Sequence, residues 1–213
     1  MGLRLVVFDL DGTLVDSIEA HAEGWAFAIG ALGLAKVNAE SIVDLIGLPG
    51  DAIVKSILGE PGLTHYPRIR RLKDRHFLRQ VAVGRVRPYP DTIWCLDHLR
   101  RGGYLLGIAT STPNYILLPV LERLEMLDYF DYTVGGDEVS RGKPNPDIFL
   151  RVLEKASVRP EEAVVVGDTV YDAEPARRIG MVSVLVTRGR SVRVDSSPAS
   201  LVIRDLAELC DLL

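Results

Sequence analysis

The sequence has few of the features that would take it out of the ordinary globular class. Its 213 residues include two cysteines, Cys95 and Cys210, far apart and without CxxC spacing. That argues against a disulfide framework or a thiolate zinc site and leaves both as small core residues. No apolar run approaches the roughly 20 residues needed to cross a bilayer, and the first strand begins without a charged and then hydrophobic leader, so no membrane contact and a cytoplasmic location are expected. There is no excess of positive charge either: 25 Lys and Arg stand against 29 Asp and Glu, a net charge of −4, and no nucleic-acid partner is expected. The local basic run from Arg68 to Arg75 reads as a solvated helix face in preference to a polyanion site. Internal repeats and low-complexity segments are missing, and the polar stretch 191–200 reads as a mobile loop.

What is present is a hydrophobic fraction of 47%, ample for a core, and one stretch around which the chain is organised. Leu5 to Phe8 is a continuous apolar run, the pattern of a strand buried on both faces, and it stops at Asp9-Leu10-Asp11-Gly12-Thr13. Asp11-Gly12 alone reads first as a turn. Asp9 changes the balance, because a turn gains nothing from a second carboxylate two residues earlier, and two close carboxylates repel unless a cation or shared proton lies between them. Hard oxygen donors suit Mg²⁺.

From Ser17 the pattern turns helical. His21, Trp25, Ile29 and Leu32 recur at spacings of three and four, and helical signals continue over Ser41 to Leu58 and Pro67 to Val83, broken at Pro49-Gly50 and Pro61-Gly62. No strand is expected there. Residues 17–86 are read as an all-helical cap inserted into a core formed by 1–16 and 87–213, with Arg87-Pro88-Tyr89-Pro90 as the returning linker. Beyond it helices and strands alternate. Asp91 is expected to cap a helix burying Ile93, Trp94, Leu96 and Leu99, and strands are expected at Tyr104–Ala109, Tyr132–Val134, Ala163–Val166, Val182–Val186 and Leu201–Ile203. Helices are expected from Asn114 to about Leu127, over Phe149 to Ala156, and through Ala176 and Ile179. The fold class is α/β, a Rossmann-like, mostly parallel sheet covered on both faces, with its polar strand ends gathered at one edge.

Those ends carry Asp9, Asp11, Thr110, Asp168 and Asp172, joined by Lys143 from the loop Gly142-Lys143-Pro144-Asn145-Pro146-Asp147. Four acids with one lysine suit an anion only if a divalent metal adds positive charge. With it, the set suits phosphoryl transfer. Asp172 also reads as a helix-capping acid, Thr110 as a plain strand end with Ser111 as its substitute, and His21 and Trp25 as packing between helices.

In this arrangement Asp9-Leu10-Asp11-Gly12-Thr13, Thr110, Lys143-Pro144-Asn145-Pro146-Asp147 and Gly167-Asp168-Thr169-Val170-Tyr171-Asp172 resemble, in order, the four motifs of the haloacid dehalogenase-like superfamily. The helical insertion is similar to the small cap of its phosphoglycolate-phosphatase-like and β-phosphoglucomutase-like members. The resemblance implies a Mg²⁺-dependent phosphatase acting on a small phosphorylated metabolite, as a monomer or homodimer. It implies Asp9 as nucleophile and metal ligand, and Asp11 as acid and base with its backbone carbonyl on the metal. Thr110 and Lys143 would hold phosphate, with Asp168 and Asp172 completing the metal shell. Ser111, His21 and Gly47 join the expected substrate contacts.

Four other readings stay in view. Asp11 argues against a dehalogenase, whose leaving halide needs no proton. Lys36 and Lys55 leave a Schiff-base phosphonatase open without supporting it. For a phosphosugar mutase, His21, Trp25 and Asn114 resemble the family's positions, but Gly47-Leu48-Pro49-Gly50-Asp51 lacks the expected arginine and Gly167-Asp168 lacks the expected pair of acids. A catalytically idle phospho-ligand-binding protein finds little support, since every catalytic position is filled.

Overall fold

The computed structural model describes residues 2–190 and 199–213. The loop expected at 191–200 therefore lies largely outside the described residues. Six parallel strands form one sheet: β1 (Leu5–Phe8), then, after two short strands described below, β4 (Leu105–Ala109), β5 (Tyr132–Val134), β6 (Ala163–Gly167), β7 (Val182–Val186) and β8 (Leu201–Ile203), in the order β5-β4-β1-β6-β7-β8. β1 sits between β4 and β6, with Leu5 level with both Leu105 and Ala163. The chain winds outward in opposite directions from this point, which opens a crevice beyond the carboxyl end of β1, the place where open α/β sheets bind ligands.

The alternation of β1 explains its unbroken apolar run. Val6 and Phe8 enter one core with Cys95, Leu96 and Leu99 of α4 (Thr92–Arg101), Ile116 and Leu117 of α5 (Asn114–Arg123), and Leu206 and Cys210 of α8 (Leu206–Cys210). Leu5 and Val7 enter the other, with Phe149 and Val152 of α6 (Asp147–Ala156) and Ala176 of α7 (Val170–Arg178). A strand covered on both faces has no polar side to show. Both cysteines are free and buried.

A third core joins α1 (Ile18–Ala31), a 3-10 segment (Ala39–Leu45), α2 (Gly50–Leu58) and α3 (Tyr66–Ala82). Phe77 and Val81, in the second half of α3, pack instead into the sheet's core, so α3 roots the helical segment in the sheet. Three expectations need correction. The returning segment is not a free linker: β3 (Arg87–Pro88) pairs antiparallel with β2 (Val15–Asp16), so the two ends of the insertion are tied together. Trp94 is 52% exposed and Cys95 fully buried, while Leu96 and Leu99 are buried and Ile93 packs against the core as expected. Asp91 precedes α4 but does not cap it, because its carboxylate accepts hydrogen bonds from Arg188 Nη1 and the Leu206 amide.

Candidate active site

The site has a floor made by strand ends and a roof made by α1, α3 and the loop before α2. On the floor, Gly12 adopts φ +81°, and a Cβ there would lie 2.4 Å from Asp168 Oδ2 and 2.8 Å from Ile18 Cδ1. Both readings of Asp11-Gly12 thus hold in part. The chain does turn, with Gly12 N donating to Val15 O at 2.8 Å and Leu14 N to Leu10 O at 3.0 Å, and the turn needs glycine because the second acidic segment presses against it.

Lys143 is 2% exposed and spans two acids, donating from Nζ to Asp9 Oδ1 at 2.7 Å and to Asp172 Oδ1 at 2.6 Å. Burial opposes its charge, but Asp172 and Asp9 outweigh burial and hold the ammonium well above its ordinary pKa. Lys143 precedes Pro144 through a cis peptide. Asp172 also takes the helix-capping role: its Oδ2 accepts from the Thr169 amide at 3.2 Å and hydroxyl at 2.9 Å, closing a capping box on α7. Asp168 accepts from Thr13 Oγ1 at 3.2 Å and Arg190 Nη2 at 2.6 Å.

One oxygen from each of Asp9, Asp168 and Asp172 lies within 4.8 Å of the others, all three buried. Among the described residues these three carboxylates face two cations, Lys143 and Arg190, and burial together with the neighbouring acids shifts Asp9 and Asp168. Burial pushes Asp9 well above the ordinary carboxylate value; Lys143 pulls it back while Asp172, Asp168 and Asp11 push it up. Burial and Asp172 raise Asp168 to about 6 against the opposing pull of Arg190. A buried all-oxygen site short of positive charge fits a hard divalent cation.

Asp11, two residues from Asp9, is held very differently. Its Oδ1 accepts from Ser17 Oγ at 2.6 Å and lies 2.8 Å from His21 Nε2, and its Oδ2 accepts from Thr112 Oγ1 at 2.7 Å. Burial alone would raise its pKa, but His21 and these donors prevail and hold it below the ordinary carboxylate range. Burial lowers His21 against the pull of Asp11, and the ring stacks on Phe77 with centroids 3.8 Å apart. The pair is best written as ionised Asp11 accepting from neutral His21. The Asp11 carboxylate is thus engaged by Ser17, His21 and Thr112 and is not one of the acidic trio.

Thr110 is buried, with Oγ1 accepting from the Thr112 amide at 3.2 Å, and lines the same cavity as Asp9, Asp11 and His21. Ser111 Oγ donates to Gly47 O at 2.9 Å, tying floor to roof. Gly50 is pressed just as closely: a Cβ there would lie 2.7 Å from the Tyr66 hydroxyl and 3.0 Å from Trp25. Trp25, Tyr66, Arg70, Lys73 and Asp74 complete the cavity.

Sequence reasoning missed Ser17 and Thr112 as partners of Asp11, the roof cations on α3, and the arginine pair after β7. Arg188 donates to Thr13 O and Asp91 and lies over the Tyr89 ring at 4.1 Å, while Arg190 donates to Gly12 O at 3.2 Å as well as to Asp168. The two arginines spaced i, i+2 past a buried strand were the available signal, read in the same way as Asp9 and Asp11.

With the geometry in view, comparison with known proteins is direct. The family model for haloacid dehalogenase-like hydrolases matches residues 6–186. The chain belongs to this family. Among curated members of the family it is similar to a phosphoglycolate phosphatase of Nitrosospira multiformis, 34% identical over 183 residues that cover 84% of this chain and 80% of the relative. Among solved haloacid dehalogenase-like structures it resembles a HAD phosphatase from Thermococcus onnurineus, with 29% identity, TM-score 0.72 and coverage of 99% and 97% of the two chains. It also resembles a hydrolase from Pseudomonas syringae, with 26% identity, TM-score 0.86 and coverage of 98% and 96%.

Proposed function

We infer that this hydrolase removes phosphate from a small phosphate monoester of the phosphoglycolate type in a Mg²⁺-dependent, two-step reaction through an aspartyl-phosphate on Asp9. The observation that carries this is the buried Lys143 ammonium on Asp9 Oδ1, which holds one oxygen of that carboxylate and leaves Oδ2 to attack. Mg²⁺ held by Asp9, Asp168 and Asp172 would supply the positive charge that the trio lacks and offset the phosphate's own.

In the first step Asp9 Oδ2 bonds to phosphorus and the ester oxygen leaves, taking a proton from the Asp11 carboxyl. In the second, a water attacks phosphorus, gives its proton to Asp11 and frees Asp9, so that ester and water become alcohol and inorganic phosphate. Asp11 as found is ready for the second step. For the first it must carry a proton, and the donors that oppose this, Ser17 and His21, lie at the root of the insertion. A movement of α1 that draws His21 away would weaken this opposition, while the Thr112 hydroxyl stays on Asp11 Oδ2. Thr110 and Ser111 supply hydroxyls for phosphate oxygens, and the roof excludes water.

The cavity over Asp9 holds about 70 Å³ and adjoins one of about 470 Å³ that shares Leu48, Gly50, Tyr66, Arg70 and Ser111 with it, which leaves room for a small phosphate ester with its phosphate on the floor. A kcat/KM panel of phosphate esters with and without Mg²⁺, with Asp9→Asn as control, tests the reading. Activity that survives EDTA and Asp9→Asn would overturn it.

A further inference from the structure

The geometry points to Arg70 as the residue that selects substrates bearing a carboxylate beside the phosphate ester. The inference rests on the phosphatase reading of the site and adds the residue that reads the organic half of the substrate.

Arg70 lies on α3, one turn before Lys73, and both line the cavity that contains Asp9 and Thr110. The two roof cations are not equivalent. The Lys73 ammonium is buried, 3.4 Å from Asp74 Oδ1, and lies 5.5 Å and 5.2 Å from the ring centroids of Trp25 and Phe77. Burial lowers its pKa, and it is already committed to its neighbours. The Arg70 guanidinium is held against Tyr115, 5.2 Å from the ring centroid, and Tyr66, at 5.9 Å. Its side chain is 34% exposed, and its ion-pair oxygen, Asp74 Oδ2, is 3.9 Å away, beyond a hydrogen bond. That oxygen is taken by the Tyr115 hydroxyl at 2.5 Å. Among the described residues Arg70 is thus braced by Tyr115 and Tyr66, has its partner carboxylate only at 3.9 Å, and lines the cavity over Asp9.

A planar fork of N–H donors, half out of water, matches a planar two-oxygen anion better than it matches a hydroxyl. A second phosphate would carry more charge and present its oxygens as a tetrahedron, which matches the flat fork less well. The carboxylate of a phosphorylated short hydroxy acid matches the fork, with its phosphate on the floor and its carboxylate on Arg70.

The test compares kcat/KM for phosphoglycolate and for 2-hydroxyethyl phosphate, which differs by lacking the carboxylate, in wild type, Arg70→Gln and Arg70→Lys. Calorimetric titration of both esters into each protein, in an Asp9→Asn background with Mg²⁺, runs in parallel. The expected result is that Arg70→Gln lowers the ratio of phosphoglycolate to 2-hydroxyethyl phosphate by roughly 10- to 100-fold, mostly through KM, and that Arg70→Lys recovers part of it. A ratio that stays within about threefold while both rates fall together would show a strut between α3 and Tyr115 and overturn the proposal. If neither ester is turned over, the phosphatase reading has failed. Arg70 is then decided by the titrations alone, where equal affinity for the two esters rules it out.

Discussion

Floor and roof are built on opposite plans. The floor acids come from strand ends, the turns beyond them and, for Asp172, the first turn of α7, and each has partners within 3.2 Å: Lys143 on Asp9 and Asp172, Thr13 and Arg190 on Asp168, and Ser17, His21 and Thr112 on Asp11. The roof draws Arg70, Lys73 and Asp74 from five consecutive positions of one helix; its two cations are held by looser contacts of 3.4 to 3.9 Å to Asp74 and by aromatic faces, and Asp74 itself by the Tyr115 hydroxyl at 2.5 Å. A rigid floor suits a charge rearrangement that recurs unchanged from ester to ester. A roof whose cation has donors to spare suits discrimination among the organic parts.

The comparison can be broken most forcefully at Asp9. Asp9→Asn is predicted to lower kcat by about 10³-fold or more while leaving the thermal transition nearly in place; stopped assays and melting curves check both, and a kcat within tenfold of wild type contradicts the role. Next comes Lys143→Gln, which strands Asp9 and Asp172 without their shared cation. Urea unfolding in EDTA is predicted to show a loss of about 3 to 5 kcal/mol, partly restored by Mg²⁺. A loss below about 1 kcal/mol would show that the pair contributes little.

Protons and metal should compete on the floor. Asp9 and Asp168 titrate above the ordinary carboxylate value, Asp168 at about 6, and a protonated carboxyl does not ligate. The rise in Tm on adding Mg²⁺ is therefore predicted to be large at pH 7.5 and to shrink as pH falls through about 6. Asp11 titrates below the ordinary range and should not contribute in that window. A Mg²⁺ shift that is the same at pH 5 and pH 7.5 contradicts the assignment. The smallest effect is expected at Arg190→Gln. Removing a positive charge 2.6 Å from Asp168 should tighten Mg²⁺ binding several-fold, as read by calorimetry; weaker binding would mean that Arg190 serves chiefly to orient Asp168.

The same division explains what could be read from the sequence. The strands were legible because β1, β4 and β6 are covered on both faces, which leaves unbroken apolar runs that stop where the floor begins. Asp9, Asp11, Thr110, Asp168 and Asp172 follow from those stops. The pairing of β2 with β3 was not legible, since two residues on each side carry no period and Pro88 argues against a strand. Nor was the facing of Arg70 and Lys73, which depends on the rotation of α3 as it passes from the helical core at Ile69 to the sheet's core at Phe77. Trp94 was misplaced for a related reason: the buried neighbour is Cys95, which packs with Leu206 and Cys210 of α8, and α8 gave no clear signal.

The central claim is the covalent step on Asp9. In a single-turnover reaction with enzyme in excess, quenched in acid within one turnover and digested, mass spectrometry is predicted to find a phosphoryl group on the peptide containing Asp9, and none with Asp9→Asn. Release of inorganic phosphate at the full single-turnover rate, with that peptide unmodified at every time point, would contradict the account.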